Sequence, residues 1–213
     1  MYIYQPERTL LKKQIKKYAH YIKGIVLDVG AGRSKRYVSY FRCDKYLTLD
    51  IDPEAQPDIL ASADKIPLEN NSINSIVCTQ VLGDVVDPLA VLKEFYRVLK
   101  PGGVVLLTES LMSEMHDEPI DYWRFTKFGF EHLFQKANFK IVSINQRGGF
   151  FSVEAQNRIR YLIERCHLYS HRFARFLNFF IIFYTKFMMF LDKLDKSQAN
   201  KKFALGWCVL AKK

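Results

Sequence analysis

The chain has few cysteines, and none of them form a close pair. Its four cysteines, Cys43, Cys78, Cys166 and Cys208, are widely separated and include no C-x-x-C spacing. Zinc sites and disulfide frameworks both depend on characteristic cysteine spacings, so the sequence argues against either one. Residues 1–6 also lack the charged-then-apolar pattern of a secretory signal. We therefore expect a protein of the reducing cytoplasm without a metal site.

Acidic residues are scarce in the last quarter of the chain. Residues 157–213 hold 12 Lys and Arg against 3 Asp and Glu, whereas residues 1–156 hold 20 against 19. Nearly all of the net charge of +10 therefore lies in the C-terminal quarter. An excess of this kind suits an anionic membrane surface or a nucleic acid, and it also occurs as a merely solvated basic face.

Short apolar runs alternate with helical patterns along most of the chain. The strand-like runs are residues 25–29, 46–50, 75–79, 104–108, 139–144 and 205–211, and the helix-like segments are residues 7–23, 89–99 and 128–137. Pro101-Gly-Gly103 predicts a turn that leads into the strand at 104–108. This alternation predicts an α/β fold with a mostly parallel sheet and helices on both faces. We expect residues 1–150 and 203–213 to form this domain. Residues 151–202 are then a basic, aromatic-rich helical insertion before the last strand.

Glycine is sparse, but two glycines stand close together where the first predicted strand ends. The sequence there is Asp28-Val-Gly-Ala-Gly32, and Gly30 and Gly32 let the backbone approach a ligand closely. In an open α/β sheet, ligands bind beyond the carboxyl ends of the strands. The full G-x-G-x-x-G fingerprint of dinucleotide-binding proteins is absent, which disfavours a nicotinamide cofactor.

Two carboxylates follow at positions where a nucleoside could meet them. Asp50 closes the second strand and is placed to accept the hydroxyls of a ribose. Asp64 is placed to accept the exocyclic amine of adenine, and Ile51 to pack on the purine face. Either acid alone could simply cap a turn, but their order along the chain favours a nucleoside site.

Five segments in this order resemble the motif series of the type 11 family of class I methyltransferases. They are residues 26–33, 47–52, 63–72, 78–82 and 97–103. The resemblance extends over residues 24–145 and implies a Rossmann-like, seven-stranded sheet that ends in an antiparallel hairpin. It also implies that the cofactor is S-adenosylmethionine.

The resemblance implies roles for particular residues. Asp28, Gly30 and Gly32 would surround the methionine part of the cofactor, and Gln80 would lie along its methionyl side. Asp50 would take the ribose and Asp64 the adenine.

The chain departs from the family pattern after the fourth strand. Relatives usually carry Glu-His there, whereas this chain has Gly83-Asp84. No role of that Glu or His is transferable. Either Asp84 partly replaces it or the stretch only begins a helix.

The segment after the fifth strand is expected to overhang the methyl-donor end of the site. Residues 116–126 resemble the H-x-x-P-x-D-Y-x-R-x-T pattern of a subgroup associated with cell-surface polysaccharide synthesis. Tyr122 and Trp123 offer flat apolar surfaces on which a sugar can stack. The segment therefore favours a sugar or phosphorylated acceptor.

Three polar residues of this segment are the predicted catalytic group. His116 is the candidate base, with Asp121 and Arg124 beside it. The alternative is that His116 and Asp117 only shape the loop while Asp121 pairs with Arg124.

The insertion contains a strongly aromatic segment, residues 173–191, which as a helix would be about 28 Å long. Arg175 and Lys186 leave only ten uncharged residues between them, so we do not expect a membrane span. Three placements stay open: the helix lies in a membrane interface, caps the domain or pairs two subunits, or roofs a hydrophobic acceptor site. The first is favoured by flanking cations, which are Arg158, Arg160, Arg165, Arg172, Lys193 and Lys196.

The leading functional hypothesis is O-methylation of a sugar or a lipid-linked glycan intermediate. The first alternative is a quinone-like or other small lipid acceptor, which suits the apolar insertion. A nucleic acid partner is disfavoured because the basic residues are interleaved with a long apolar helix. A cofactor-binding but inactive scaffold is the hypothesis from a different class. Expected partners are a small-molecule or glycan acceptor, an anionic membrane surface contacted by residues 158–196, and a second copy in a homodimer.

Overall fold

The computed structural model of the protein describes residues 3–168 and 174–213, which form one seven-stranded sheet with helices on both faces. The strands are β1 (Ile25–Val29), β2 (Lys45–Asp50), β3 (Ile59–Leu60), β4 (Ile73–Thr79), β5 (Leu99–Ser110), β6 (Lys140–Arg147) and β7 (Gly206–Lys212). The helices are α1 (Pro6–Tyr18), α2 (Pro88–Val98), α3 (Lys127–Lys136), α4 (Phe150–Arg165) and α5 (Ala174–Leu194).

The strand order is β3-β2-β1-β4-β5-β7-β6. β7 runs antiparallel to β5 and β6, between which it lies. β7 pairs with both β5 and β6, so the predicted antiparallel hairpin at the end of the sheet is confirmed. Parallel strands need long crossovers, and helices provide several of these. The predicted Rossmann-like α/β fold is therefore confirmed.

Alternating side chains along the strands build a core on each face of the sheet. In β1, Leu27 and Val29 pack under α2 and α3, while Val26 packs under α1 with Leu11 and Ile15. This alternation is the two-residue period of a strand buried on both faces.

Two predicted elements differ from the structure in extent. The leading helix was predicted over residues 7–23, but α1 ends at Tyr18, and a short 3-10 turn leads to Gly24, whose φ is +68°. The predicted turn at residues 101–103 is instead a bulge within β5, at which the register with β4 shifts. Ladder pairing continues on both sides of the bulge, so one long strand replaces the predicted turn and strand.

The described part of the segment between β6 and β7 holds the helices α4 and α5, which pack against the start of the chain. Ile159 and Ile163 of α4 and Ile181 of α5 share a buried cluster with Ile3. The carboxylate of Asp192 in α5 accepts the first backbone N–H groups of α4, so each helix fixes the other.

α5 confirms the helix predicted over residues 173–191 from residue 174 onwards. Phe173 and Arg172 lie outside the described residues. No helix within residues 3–168 and 174–213 is both long and apolar enough to cross a membrane.

Candidate functional site

A cavity of about 460 Å³ opens at the carboxyl ends of the central strands. The first turn of α1 and one face of α4 close its sides. Its lining includes Gly30, Gly32, Gln80, Ser110, His116 and Arg160. Four of the predicted site residues thus share one cavity, at the strand ends where open α/β sheets bind ligands.

The turn that follows β1 and lines the cavity needs its glycines for two reasons. Gly30 has a φ of +68° and Gly32 a φ of +60°, which non-glycine residues adopt at a cost. A Cβ at Gly30 would lie 2.1 Å from Cγ2 of Val81, whereas one at Gly32 would meet nothing within 4 Å. Gly30 therefore allows close packing against the loop after β4, and Gly32 leaves open space for a ligand.

Asp50 holds this turn from the neighbouring strand. Its Oδ2 accepts the N–H of Gly32 at 2.9 Å, and its Oδ1 accepts the N–H of Asp52 at 3.0 Å. Each carboxylate oxygen has a further lone pair, so Asp50 can still accept ligand hydroxyls. Ile51 is 72% exposed and Asp64 is also exposed, and neither lines the cavity.

Asp28 lies beneath the turn, not in the cavity wall. Its side chain is buried on the α1 face of the sheet, where Oδ2 accepts the hydroxyl of Tyr46 at 2.6 Å. Its Oδ1 has no hydrogen-bond partner among the described residues. Burial raises the pKa of Asp28 to about 6, and the Tyr46 bond opposes this rise. A cationic ligand above the turn would favour the charged form of this carboxyl group.

Gln80 occupies a strained backbone position directly after β4. Its φ is +58°, which is uncommon for a residue other than glycine and typical of functional positions. Its Oε1 accepts the hydroxyl of Ser110 at 2.6 Å, and that hydroxyl also lies 3.0 Å from Oε1 of Glu7. The side chain is thereby fixed at the cavity wall.

Glu7 and Arg147 support this wall, and neither was predicted from the sequence. Arg147 is buried, and its guanidinium bonds Glu7 at 3.0 Å and the carbonyl oxygen of Glu109 at 2.9 Å. Glu7 lies four residues before Leu11, which is four before Ile15, so it falls on the apolar stripe of α1. A carboxylate on a buried stripe requires a partner, and this signal was available in the sequence.

A second buried acid, Glu109, ties β5 to the loop after β4. Its Oε1 accepts the N–H groups of Val81 and Leu82 at 2.6 and 2.7 Å. Burial raises the pKa of Glu109 to about 7, although these two bonds lower it. The carboxyl group therefore retains a proton well above the usual range of glutamate.

The predicted catalytic residues lie together at one end of the cavity. Asp121 accepts the N–H of His116 at 3.0 Å and both terminal nitrogens of Arg124 at 2.5 and 2.7 Å. The hydrogen bonds from Arg124 lower the pKa of Asp121 to about 2. Asp121 therefore pairs with Arg124, as expected under the alternative in which these residues only shape the loop. His116 alone of the three lines the cavity.

The departure at Gly83-Asp84 has a structural reason. The carbonyl oxygen of Gly83 accepts the N–H groups of Tyr122 and Trp123, and a Cβ at Gly83 would lie 3.2 Å from the carbonyl oxygen of Trp123. Glycine therefore lets the His116 loop fold onto this stretch. Tyr122 and Trp123 lie outside the cavity lining, and the Trp123 indole donates to the carbonyl oxygen of Val85.

Asp84 is brought to the predicted catalytic group. One potential ligand atom each from Asp84, His116 and Asp121 lie within 4.8 Å of one another. Burial raises the pKa of Asp84, and the charge of His116 opposes that rise. Arg124 donates to both oxygens of Asp121, so one of these three potential ligands is already engaged.

Comparison with known sequences finds a family match over the strands that carry the cavity. Residues 27–107 match the family described as methyltransferase domain. The matched stretch runs from β1 into β5 and includes the Gly30–Gly32 turn. Over 111 residues, or 52% of its length, the chain is 30% identical to the ubiquinone/menaquinone biosynthesis C-methyltransferase UbiE of Haemophilus ducreyi. It spans only 37% of the length of that relative.

Solved structures of methyltransferases share the fold of this chain. A SAM-dependent methyltransferase of Aquifex aeolicus is 18% identical, with a TM-score of 0.51 over 68% of this chain and 93% of that one. Phosphoethanolamine N-methyltransferase 2 of Haemonchus contortus, in complex with S-adenosyl-L-methionine, is 17% identical. Its TM-score is 0.58, over 96% of this chain and 52% of that one. The cofactor of this domain family is S-adenosylmethionine.

Proposed function

We propose that the protein transfers a methyl group from S-adenosylmethionine to a small acceptor within the strand-end cavity. The observation that carries the proposal is that this cavity joins the Gly30–Gly32 turn and Gln80 to His116. The cofactor supplies a methyl group on a sulfonium ion, which is activated for displacement. The protein then has to position both reactants and, for a hydroxyl acceptor, to remove a proton.

The residues present fit this cofactor. The unpartnered Oδ1 of Asp28 is a buried acceptor close to the turn, and the space at Gly32 leaves room for a ligand. We assign Asp28, Gly30, Gly32 and Gln80 to the methionine part. Asp50, which already orients the turn, is assigned to the ribose.

The remaining cofactor roles are at the exposed end of the site. We assign Ile51 to the face of the adenine because its side chain is 72% exposed and free to be covered. Asp64 is assigned to the exocyclic amine. Both residues are outside the cavity, so they would cover a part of the cofactor that extends beyond it.

His116 is placed to act as the base. Its Nδ1 lies 3.1 Å from the carbonyl oxygen of Glu114, which favours a proton on Nδ1 and leaves Nε2 as an acceptor. Asp121 holds the backbone of His116 and is itself held by Arg124, so both are positioning residues in this proposal. A proton released by the acceptor, from a hydroxyl or from the ring carbon that takes the methyl group, would move to Nε2 of His116.

A quinone-like small lipid is the acceptor that the structure supports best. The similarity to UbiE over 111 residues favours it. A second cavity, of about 500 Å³, shares Ser113, Glu114 and Arg160 with the first and extends along α4 past Tyr161. Such a neighbouring space can take a tail while a ring occupies the first cavity.

A sugar or lipid-linked glycan is the second candidate. It rests on the resemblance of residues 116–126 to enzymes of polysaccharide synthesis and on His116 as a base for a hydroxyl. The positions of Tyr122 and Trp123 outside the cavity remove the stacking surfaces expected for a sugar.

We also propose the division into a domain, residues 1–150 with 203–213, and an insertion at 151–202. The proposed location of the protein is the cytoplasmic face of a membrane.

A methyl-transfer assay tests this function. The full chain is incubated with cofactor carrying a radiolabelled methyl group and with a short-tailed quinol or a glycolipid extract. We expect label in the quinol, reduced roughly 100-fold in His116→Gln, which is in the range for loss of a general base. His132→Gln, an exposed histidine on α3, is the matched control. Label in the glycolipid alone would support the second candidate, and label in neither fraction would contradict both.

A further inference from the structure

α5 has two apolar faces, and one of them packs against other described residues of the protein. Ile181, Thr185 and Met188 are buried against α4 and the start of the chain. On the opposite side, seven large apolar side chains are 51–74% exposed. This aromatic face consists of Phe176, Phe179, Phe180, Phe183, Phe187, Phe190 and Leu194. At about 100° per residue, its members fall within roughly 100° of the helix circumference.

The two exposed charged side chains of α5 beside the aromatic face are both cationic. Lys186 and Lys193 are exposed and follow one edge of the face by helical geometry. The single acid of α5, Asp192, is turned away and holds the first N–H groups of α4. A row of phenylalanines edged by lysines, without a carboxylate, complements a surface that is apolar inside and anionic outside.

We infer that the aromatic face of α5 docks onto a bilayer that contains anionic phospholipid. The phenylalanine rings would enter the boundary between headgroups and acyl chains, while the lysine ammonium groups reach the phosphates. Residues 157–213 carry 12 basic against 3 acidic residues, which adds long-range attraction to such a surface.

The same charges disfavour a second copy of the chain as the occupant. Antiparallel two-fold pairing through the aromatic face would bring the basic edges of both helices to the same side of the interface. It would also bring the two basic C-terminal quarters close to one another, and like charges at an interface oppose association. An anionic lipid surface neutralises these charges instead.

Docking here would leave α5 and then α4 between the lipid and the cavity. α4 lines the cavity with Gln156 and Arg160 and packs directly against α5. The inference itself does not rest on methyl transfer, because vesicle binding needs neither cofactor nor acceptor.

Vesicle flotation of the full chain tests the inference. One set of vesicles contains phosphatidylcholine with phosphatidylglycerol, and the other phosphatidylcholine alone. We expect the protein to float with the first set and at least about tenfold less with the second. The double variant Phe179→Ser/Phe183→Ser should lose at least about tenfold of its vesicle partitioning. Phe128→Ser, which changes a phenylalanine that is 68% exposed on α3, should bind like the unchanged protein.

A fluorescence measurement tests the same contact with variants that are expected to keep vesicle binding. F183W should be quenched by brominated anionic lipid more strongly than the unchanged protein, whereas F128W should not. Equal flotation of the two serine variants, or no flotation with either vesicle set, would overturn the inference. So would sedimentation that shows a dimer dispersed by Phe179→Ser/Phe183→Ser without any vesicle binding.

Discussion

Arg147 is the residue whose loss we expect to destabilise the fold most clearly. Its guanidinium is fully buried, pairs with Glu7 at 3.0 Å and donates to the carbonyl oxygens of Glu109 and Trp207 at 2.9 and 3.3 Å. Arg147→Ala would leave the Glu7 carboxylate without its charge partner and remove the donors of two carbonyl groups. Breaking a buried pair in this way typically costs about 3–5 kcal/mol.

Urea denaturation followed by circular dichroism measures this cost. Arg158→Ala is the matched control, since Arg158 also pairs with a glutamate but its side chain is 65% exposed. We expect the control to change the free energy of unfolding by no more than about 0.5 kcal/mol. Adding Glu7→Gln to Arg147→Ala should recover part of the loss because the unpaired charge is gone. A loss below about 1 kcal/mol in Arg147→Ala would refute the assignment of this pair as a buried support of the site.

Two further perturbations follow from the site. Between its usual pKa near 4.5 and its raised pKa of about 7, Glu109 binds more proton in the folded than in the unfolded chain. The free energy of unfolding should therefore fall as pH rises through this window, by up to roughly 3 kcal/mol. Glu109→Gln should flatten that slope in denaturation curves at several pH values, and an unchanged slope would contradict the burial argument. Gly30→Ala should lower the melting temperature more than Gly32→Ala, since only the first meets Val81; equal melting temperatures would argue against that contact.

The central part of the fold was predictable because it is encoded locally. The apolar run of β1 ends in Gly30 and Gly32, and both their positive φ values and their place at the cavity follow from that pattern. β3 has two residues, which is too short for a periodic signal. The bulge in β5 was missed because proline and glycine at 101–103 are typical of a turn, and only pairing with β4 shows that the strand continues.

The support of the site was less accessible from sequence because it depends on distant contacts. Glu7 and Arg147 are 140 positions apart, and only the packing of α1 over β6 brings them together. Gly83 departs from the family pattern, and its reason lies in the His116 loop nearly forty residues later, whose N–H groups meet its carbonyl oxygen. In both cases the partner is set by tertiary packing and not by local spacing.

Calorimetric titration of the full chain with S-adenosylhomocysteine tests the central claim most directly. The claim is that the turn held by Asp50 binds this cofactor class. We expect binding that weakens at least tenfold in Asp50→Ala, equivalent to about 1.4 kcal/mol, because both the ribose contact and the hold on Gly32 are lost. Asp52→Ala, which removes a neighbouring acid that bonds Glu54 instead, should leave the affinity within about twofold. No binding by the unchanged protein, or equal weakening in both variants, would contradict the account.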